Sequence, residues 1–172
     1  MVKIAVATDG ALFERVEQCA GSLARGDLDA LLPVVRDSIA AKIRVVRDDE
    51  REAGARALLN LGHTVGHALE ASAGYARWLH GEAVALGTVA EMRATQALGL
   101  TPAGLAERAE VVFAKIGLPT QAHRDDLEAA WPFVASDKKR KAGALRLPVV
   151  TGAGHSYVAQ VAVGELRDAL FR

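Results

Sequence analysis

Cysteine is nearly absent from the 172-residue sequence, in which Cys19 is the single example. One cysteine cannot form a disulfide within the chain, and chains without disulfides are typical of reducing compartments. We therefore expect a cytoplasmic protein in which Cys19 is a buried, structural thiol.

An excess charge of one sign and long apolar runs are missing as well. The 21 basic and 21 acidic side chains cancel, and neither sign forms a long block that would attract nucleic acid. No apolar run approaches the roughly 18 residues of a membrane span, and the N-terminus lacks the pattern of a signal peptide. These absences favour a soluble protein, without a nucleic-acid or membrane partner, that acts on small molecules or contacts other proteins.

Strand-forming segments are also few, because helical periodicity covers most of the chain. Apolar residues recur at helical spacing in six predicted helices, residues 11–23, 28–43, 51–72, 82–98, 103–116 and 165–171. A glycine-containing turn joins two short β-prone runs, residues 145–150 and 157–163, and predicts one hairpin. We predict a mainly α domain over residues 1–172 with a small β-hairpin near the C-terminus.

The predicted helix ends rest on capping signals. Asp27 and Thr101 are candidate N-caps, and Gly99 and Gly117 follow predicted C-terminal ends. Residues 2–8 are apolar enough to be the first strand of an α/β sheet, but no alternation of strands and helices follows. A strand at this position is the minor alternative.

A stripe of six polar residues follows the predicted helix over 51–72. Their spacing of 4, 4, 3, 4 and 3 places them within an arc of roughly 80°: Glu52, Arg56, Asn60, His63, His67 and Glu70. Solvated helix faces are usually rich in lysine and glutamate, whereas this one carries two histidines and an asparagine. The stripe therefore predicts a site, and the adjacent Gly62 and Gly66 would admit either a substrate or a neighbouring helix.

Three histidines are candidate metal ligands. His63 and His67 have the i, i+4 spacing that can place two imidazoles on one ion, and His80 opens the next predicted helix. Thr64 follows His63 where a HExxH metalloprotease has glutamate, so a protease is not the favoured interpretation. If the two helices are antiparallel neighbours, we expect the three rings to converge, and spacing alone leaves open which of them bind zinc.

Several segments together resemble the signature of 3-dehydroquinate synthase: DERE at 49–52, RALLNLGHTVGHALE at 56–70 and HGEAV at 80–84. Lys3 resembles the lysine of that family's AExxK helix, Lys42 a lysine before the signature, and residues 137–139 its late DKK motif. Ala55 and Val65 replace the usual leucine and phenylalanine, which removes no functional group.

The resemblance implies the helical C-terminal domain of the dehydroquinate synthase-like fold. Such enzymes convert 3-deoxy-D-arabino-heptulosonate 7-phosphate to 3-dehydroquinate and phosphate in the shikimate pathway, using NAD held mainly by an N-terminal domain. Zinc, or another divalent ion such as cobalt, would bind His63 and His80, with the AExxK glutamate as a third ligand ahead of Met1. The chain would then be an incomplete enzyme, inactive alone, that needs its N-terminal domain and forms a homodimer when complete.

The resemblance also implies individual roles. His67, Glu52 and Lys3 would be catalytic, with His67 handling protons near the substrate phosphate instead of binding metal. Substrate contacts would come from five further residues: Lys42, Arg56, Asn60, Lys138 and Lys139. The basic segment 137–141 could equally be an ordinary solvated turn.

Two other functions remain open at this stage. Relatives that make carbasugar or deoxy-inosose rings share the histidines, although Arg56 and Asn60 favour the dehydroquinate reaction. The chain could also be a non-catalytic fragment or an assembly module that pairs with a separate partner.

Overall fold

A computed structural model of the protein describes residues 1–49, 54–138 and 143–172, except for the side chains of 136–138. Its elements are α1 Val2–Thr8, α2 Gly10–Ala24, α3 Leu28–Asp48, a 3₁₀ helix Ala55–Asn60, α4 His63–Ser72, α5 His80–Ala97, α6 Leu105–Lys115, α7 Arg124–Lys138, β1 Ala144–Gly152, β2 His155–Ala162 and α8 Val163–Leu170. The predicted fold, mainly α with a late hairpin, is confirmed. Among the described helices, none combines the length and apolarity needed to cross a bilayer.

Helix α5 is the centre of the molecule. Its residues Ala85, Val89 and Met92 belong to a core shared with α1, α2 and α6. Leu86 and Ala94, on another side of the same helix, belong to a second core formed with α4, α7, α8 and the hairpin. Residues 83–90 of this helix are small and largely apolar, and a helix segment with apolar residues on several sides has to be buried.

The hairpin covers one face of the second core. Strands β1 and β2 pair antiparallel with Leu147 opposite Ala159. Leu145 and Leu147 alternate with the exposed Arg146, so the two leucines are buried and the arginine projects from the other face. Because an isolated two-stranded hairpin is marginal in water, packing on the helices stabilises it.

The single helix predicted over 51–72 is wrong. A 3₁₀ helix ends at Asn60, Gly62 has a φ of +77°, and α4 begins only at His63. Gly62 lies so close to α5 that an added Cβ would be 2.2 Å from Thr88 Oγ1. This packing fixes a left-handed backbone that a helix cannot contain. The polar stripe is therefore not one helical face, because Asn60 and His63 lie in different elements.

Three further sequence expectations differ from the structure, at residues 2–8, at helix α7 and at Thr101. Residues 2–8 form helix α1, not a strand: the Ala5 and Asp9 N–H groups donate to the Met1 and Ala5 carbonyl oxygens. The apolar side chains of this helix pack into the first core, and such tertiary contacts override the strand preference of valine and isoleucine. Helix α7 was not expected, since it contains Pro132 and little helical periodicity. Thr101 is not an N-cap: its buried hydroxyl bonds to that of Thr95, and α6 begins after Gly104.

The remaining signals agree with the structure or nearly so. Asp27 accepts a hydrogen bond from the Asp29 N–H and caps α3, as expected. Gly99 and Gly117 have positive φ values of +75° and +89° after helix ends. Cys19 is half-buried against the first core, less enclosed than expected, and it is a free thiol.

Helices α4 and α5 touch through backbone atoms. An added Cβ at Gly87 would lie 2.1 Å from the Gly62 carbonyl oxygen and 2.6 Å from the Gly66 nitrogen. An added Cβ at Gly66 would lie 2.9 Å from the Ala83 carbonyl oxygen. Of the two roles open to Gly62 and Gly66, the structure shows helix packing.

We predict that Gly87→Ala lowers the free energy of unfolding by about 3 kcal/mol, because the new methyl group must push two helices apart. Gly81→Ala, in the same helix with nothing within 4 Å of the added Cβ, is the matched control. It should raise stability by about 0.5 to 1 kcal/mol, since alanine favours helix. Urea unfolding of both variants measures this, and equal effects would contradict the close packing.

Candidate metal centre

Three imidazoles converge where α4 begins beside the first turn of α5. His63 and His67 lie one turn apart on α4, and His80 is the first residue of α5. The ring centroids are 5.0 Å apart for His63 and His67, 5.6 Å for His63 and His80, and 5.7 Å for His67 and His80. One nitrogen of each ring lies within 4.8 Å of the others.

Two of the three rings are oriented by hydrogen bonds at Nδ1. His63 Nδ1 is 3.2 Å from the Leu61 carbonyl oxygen, and His80 Nδ1 is 3.2 Å from a Glu70 carboxylate oxygen. A carboxylate oxygen accepts, so Nδ1 carries the proton in His80 and Nε2 keeps its lone pair. In His63 the Leu61 carbonyl oxygen lies closer to Nδ1 than the Lys3 ammonium does, 3.2 against 3.4 Å, which favours the same tautomer. In the part of the chain that the structure describes, His67 has no hydrogen-bond partner for its ring. The hydrogen bonds at Nδ1 pre-orient His63 and His80.

Helix α1 places Lys3 beside the cluster. Its ammonium group donates to the Leu59 carbonyl oxygen and lies 3.4 Å from His63 Nδ1. Burial lowers the pKa of Lys3 to about 8, against the raising effect of Glu91, and the charge of Lys42 lowers it further. A lysine with this pKa can exchange a proton near neutral pH.

The same environment keeps His63 neutral. Burial, followed by the positive charge of Lys3, lowers the pKa of His63 to about 4. A metal ligand must be a neutral imidazole with a lone pair on one nitrogen, and at neutral pH His63 already is neutral.

The start of α4, which carries His63, is held by a buried carboxylate. Glu91 of α5 is 1% exposed and accepts hydrogen bonds from the Gly62 N–H at 2.8 Å and the Val65 N–H at 3.0 Å. These N–H groups lie at the N-terminal end of α4, where a negative charge is favourable. Sequence reasoning missed Glu91, although an acidic residue inside an apolar helix is a visible signal.

The start of α5, which carries His80, is capped in a similar way. Glu82 accepts a hydrogen bond from the Leu79 N–H at 2.9 Å. The glutamate of the HGE segment therefore has a structural role at the helix end.

A cavity of about 430 Å³ opens beside the histidines. Asn60, His63 and His67, all expected site residues, line one side of it. Its other walls come from residues to which the sequence assigned no site role: Thr64, Ala68, Ala71, Tyr75, Phe133, Val134 and Arg146. Phe133 lies on α7 and Arg146 on β1, so only the folded chain brings them to this cavity.

The other expected site residues do not line this cavity or lie outside the described residues. Lys42, on the exposed surface of α3, affects Lys3 through its charge. Arg56 is half-buried in the 3₁₀ helix, where its backbone N–H donates to the Asp49 carboxylate. Arg56 does not line the cavity. The expected residues Glu52 and Lys139, and the side chain of Lys138, lie outside the described residues.

Comparison with known proteins decides the family. The model of the 3-dehydroquinate synthase C-terminal domain matches residues 1–140 of this chain. The chain belongs to this family. The match includes the three histidines, Lys3 and the α4–α5 helix pair, whose geometry is described above.

Solved structures show the same fold for this dehydroquinate synthase C-terminal domain. The 2-epi-5-epi-valiolone synthase of Streptomyces hygroscopicus subsp. jinggangensis 5008, solved with NAD⁺ and Zn²⁺, matches 98% of the chain at 24% identity and a TM-score of 0.79. A 2-deoxy-scyllo-inosose synthase with carbaglucose-6-phosphate, NAD⁺ and Co²⁺ matches 83% at 22% identity and a TM-score of 0.68. The chain spans 48% and 41% of these two proteins, about half their length.

The donor set of the domain fits a divalent metal ion. Zinc is bound by imidazole nitrogens at about 2.0–2.1 Å, which sets neighbouring donors roughly 3.4 Å apart in a tetrahedral site. The donors here lie within 4.8 Å, so modest side-chain rotation closes the difference. Metal-binding histidines usually donate their second ring N–H to a carboxylate or carbonyl oxygen, as His63 and His80 do here.

We predict that His63 in the metal-free protein stays neutral until the pH falls to about 4. In the unfolded chain it takes up a proton near its ordinary pKa of about 6.5. Since the unfolded state then binds more protons, the metal-free protein loses stability as the pH falls from 6.5 towards 4.

NMR titration of the histidine ring protons measures this pKa, with the urea-unfolded protein as reference. His63→Gln should remove its share of the stability change over the same pH range. A His63 ring that titrates near 6.5 in the folded protein would contradict the role given to burial and Lys3.

Proposed function

We propose that this chain is the substrate- and metal-binding domain of a 3-dehydroquinate synthase. The complete enzyme would convert 3-deoxy-D-arabino-heptulosonate 7-phosphate to 3-dehydroquinate and phosphate in the shikimate pathway. The observation that supports a metal site is the convergence of three imidazoles, two of them with a hydrogen-bonded Nδ1. The choice of the dehydroquinate reaction rests on the family to which the chain belongs and on Arg56 and Asn60.

In this proposal His63 and His80 hold the metal ion, zinc or cobalt, and further ligands complete the site. The chemistry that such an ion supplies when bound is Lewis-acid polarisation of a substrate hydroxyl, which lowers the hydroxyl pKa. The ring orientations favour this assignment. Among the described contacts, His63 and His80 are the two histidines of the cluster whose Nδ1 is hydrogen-bonded, which leaves Nε2 for the metal ion. His67, whose ring has no hydrogen bond among the described contacts, would exchange protons with the substrate.

The remaining side chains bind and orient the substrate in the proposal. Asn60 and His67 line the cavity next to His63, where they would contact hydroxyl and phosphate oxygens. Lys3 would hold a substrate oxygen near His63, and Lys42 adds positive charge nearby. Lys138 and Lys139 would bind phosphate, Arg56 would pair with the carboxylate, and Glu52 would assist proton transfer.

NAD would be held by a second domain. Among the described residues the chain forms one two-stranded antiparallel sheet, which lacks the parallel strands and crossover helix of a dinucleotide site. The chain alone is therefore proposed to be inactive, and the complete enzyme to contain an N-terminal nucleotide domain and to form a homodimer.

We predict that His63→Ala and His80→Ala each lose bound zinc, whereas His67→Ala retains it and loses turnover in the complete enzyme. Removing a ligand leaves too few donors for tight binding, while removing a proton-handling group costs about 10²- to 10⁴-fold in rate. Metal content by atomic spectroscopy and steady-state kinetics separate the two effects.

His155→Ala is the matched control for these variants, because His155 lies on β2 outside the cluster. It should keep both metal and turnover. Loss of metal in His67→Ala as complete as in His63→Ala would make the i, i+4 pair the metal site and reject the assignment.

A second prediction concerns the substrate. If Arg56 binds the carboxylate, Arg56→Gln in the complete enzyme lowers kcat/KM for the carboxylated substrate by about 100-fold, the worth of a bidentate charged pair. Turnover of a seven-carbon ketose phosphate without the carboxylate should be low and unchanged by the substitution. Better turnover of the carboxylate-free substrate by the unsubstituted enzyme would favour another sugar phosphate cyclase.

A further inference from the structure

The carboxylate of Glu70 is buried without a role in the substrate site described above. The residue is 8% exposed in α4, and a buried carboxylate is unfavourable unless it is hydrogen-bonded. Its two oxygens lie 3.2 and 3.3 Å from His80 Nδ1, the side-chain partner that it has among the described residues. The hydrogen bond with His80, the first residue of α5, therefore offsets part of the cost of burying the Glu70 carboxylate.

The two side chains differ in how firmly they are held. The His80 side chain is 60% exposed, whereas that of Glu70 is 10% exposed. Glu70 follows Leu69, which is packed in the second core, so its backbone is fixed by the α4–α5 contact. An exposed imidazole has several accessible rotamers, and a hydrogen bond that the ring donates to a fixed carboxylate selects one of them.

The hydrogen bond also selects the tautomer. Because the carboxylate accepts, His80 carries its proton on Nδ1 and presents Nε2 as the donor nitrogen. The ring centroid then lies 5.6 Å from that of His63, whose Nδ1 is held in the same way by the Leu61 carbonyl.

We propose that Glu70 is a positioning residue, which orients the His80 ring and keeps its Nε2 available to a divalent metal ion. This inference rests on the proposed function, because it requires His80 to be a ligand. The competing explanation is a contact between Glu70 and His80 that only stabilises the helix pair. If Glu70 positions His80, its substitution weakens metal binding even when variants with the same folded fraction are compared. If the contact only stabilises the helix pair, the affinity of the folded protein stays the same.

The experiment measures the Zn²⁺ dissociation constant of the purified protein by competition with a chromophoric chelator. Glu70→Gln keeps the shape and removes the charge, and Glu70→Ala removes the contact. We expect Zn²⁺ binding to be about 10-fold weaker in Glu70→Gln and about 100-fold weaker in Glu70→Ala. This is the usual range when a metal-binding histidine loses its hydrogen-bond partner. Glu17→Gln is the matched control, since Glu17 pairs with Arg108 away from the histidines and should leave the affinity unchanged.

Circular dichroism and urea unfolding show the folded fraction of each variant, and affinities are compared where it is equal. If Glu70→Ala does not fold, Glu70→Gln carries the comparison. In a His80→Ala background, Glu70→Gln should have no further effect on affinity, because the residue acts through His80. An undiminished effect there would overturn the proposal.

The outcomes separate this inference from the proposed function. Equal affinity of the unsubstituted protein and His80→Ala would reject His80 as a ligand, and with it the proposed metal site. Weak binding by His80→Ala, together with unchanged affinity in both Glu70 variants, would leave the metal site intact and reject Glu70 as its positioning residue.

Discussion

The close approach of α4 and α5 is the constraint on which the rest of the structure depends. Gly62, Gly66 and Gly87 bring the two backbones together at distances that no side chain would tolerate. Because His63 and His67 lie on α4 and His80 opens α5, this contact brings the three rings to one place. The small apolar residues of α5 also pack into both cores, so the helix that carries His80 is held on several sides.

Charged groups at this helix pair are arranged so that each fixes a neighbour. Glu91 of α5 holds the first turn of α4, and Glu70 of α4 contacts His80 of α5, so each helix carries a carboxylate for the other. Burial, followed by the positive charge of Lys3 on α1, lowers the pKa of His63 and keeps its ring neutral. Such polar networks are favourable only when their members are satisfied, and here they fix the orientation of candidate ligands.

The sequence carried enough information for the fold class and the hairpin, because periodicity and turn signals are local. The convergence of the three histidines was expected only on the assumption that the two helices are antiparallel neighbours. The sequence could not show that the helix over 51–72 is broken, since the left-handed Gly62 follows from contact with Thr88 of another helix. The contribution of Phe133 and Arg146 to the cavity likewise depends on tertiary packing. Glu91 could have been found, because a buried acidic residue in an apolar helix requires a partner.

The central claim is that His63 and His80, but not His67, bind a divalent ion. X-ray absorption at the zinc edge of the metal-loaded protein counts imidazole ligands directly, because their ring atoms scatter in a recognisable pattern. We expect two imidazole nitrogens at about 2.0–2.1 Å, with oxygen donors completing the coordination shell. Three imidazoles at that distance would contradict it, because His67 would then be a ligand and could not serve as the proton-handling group.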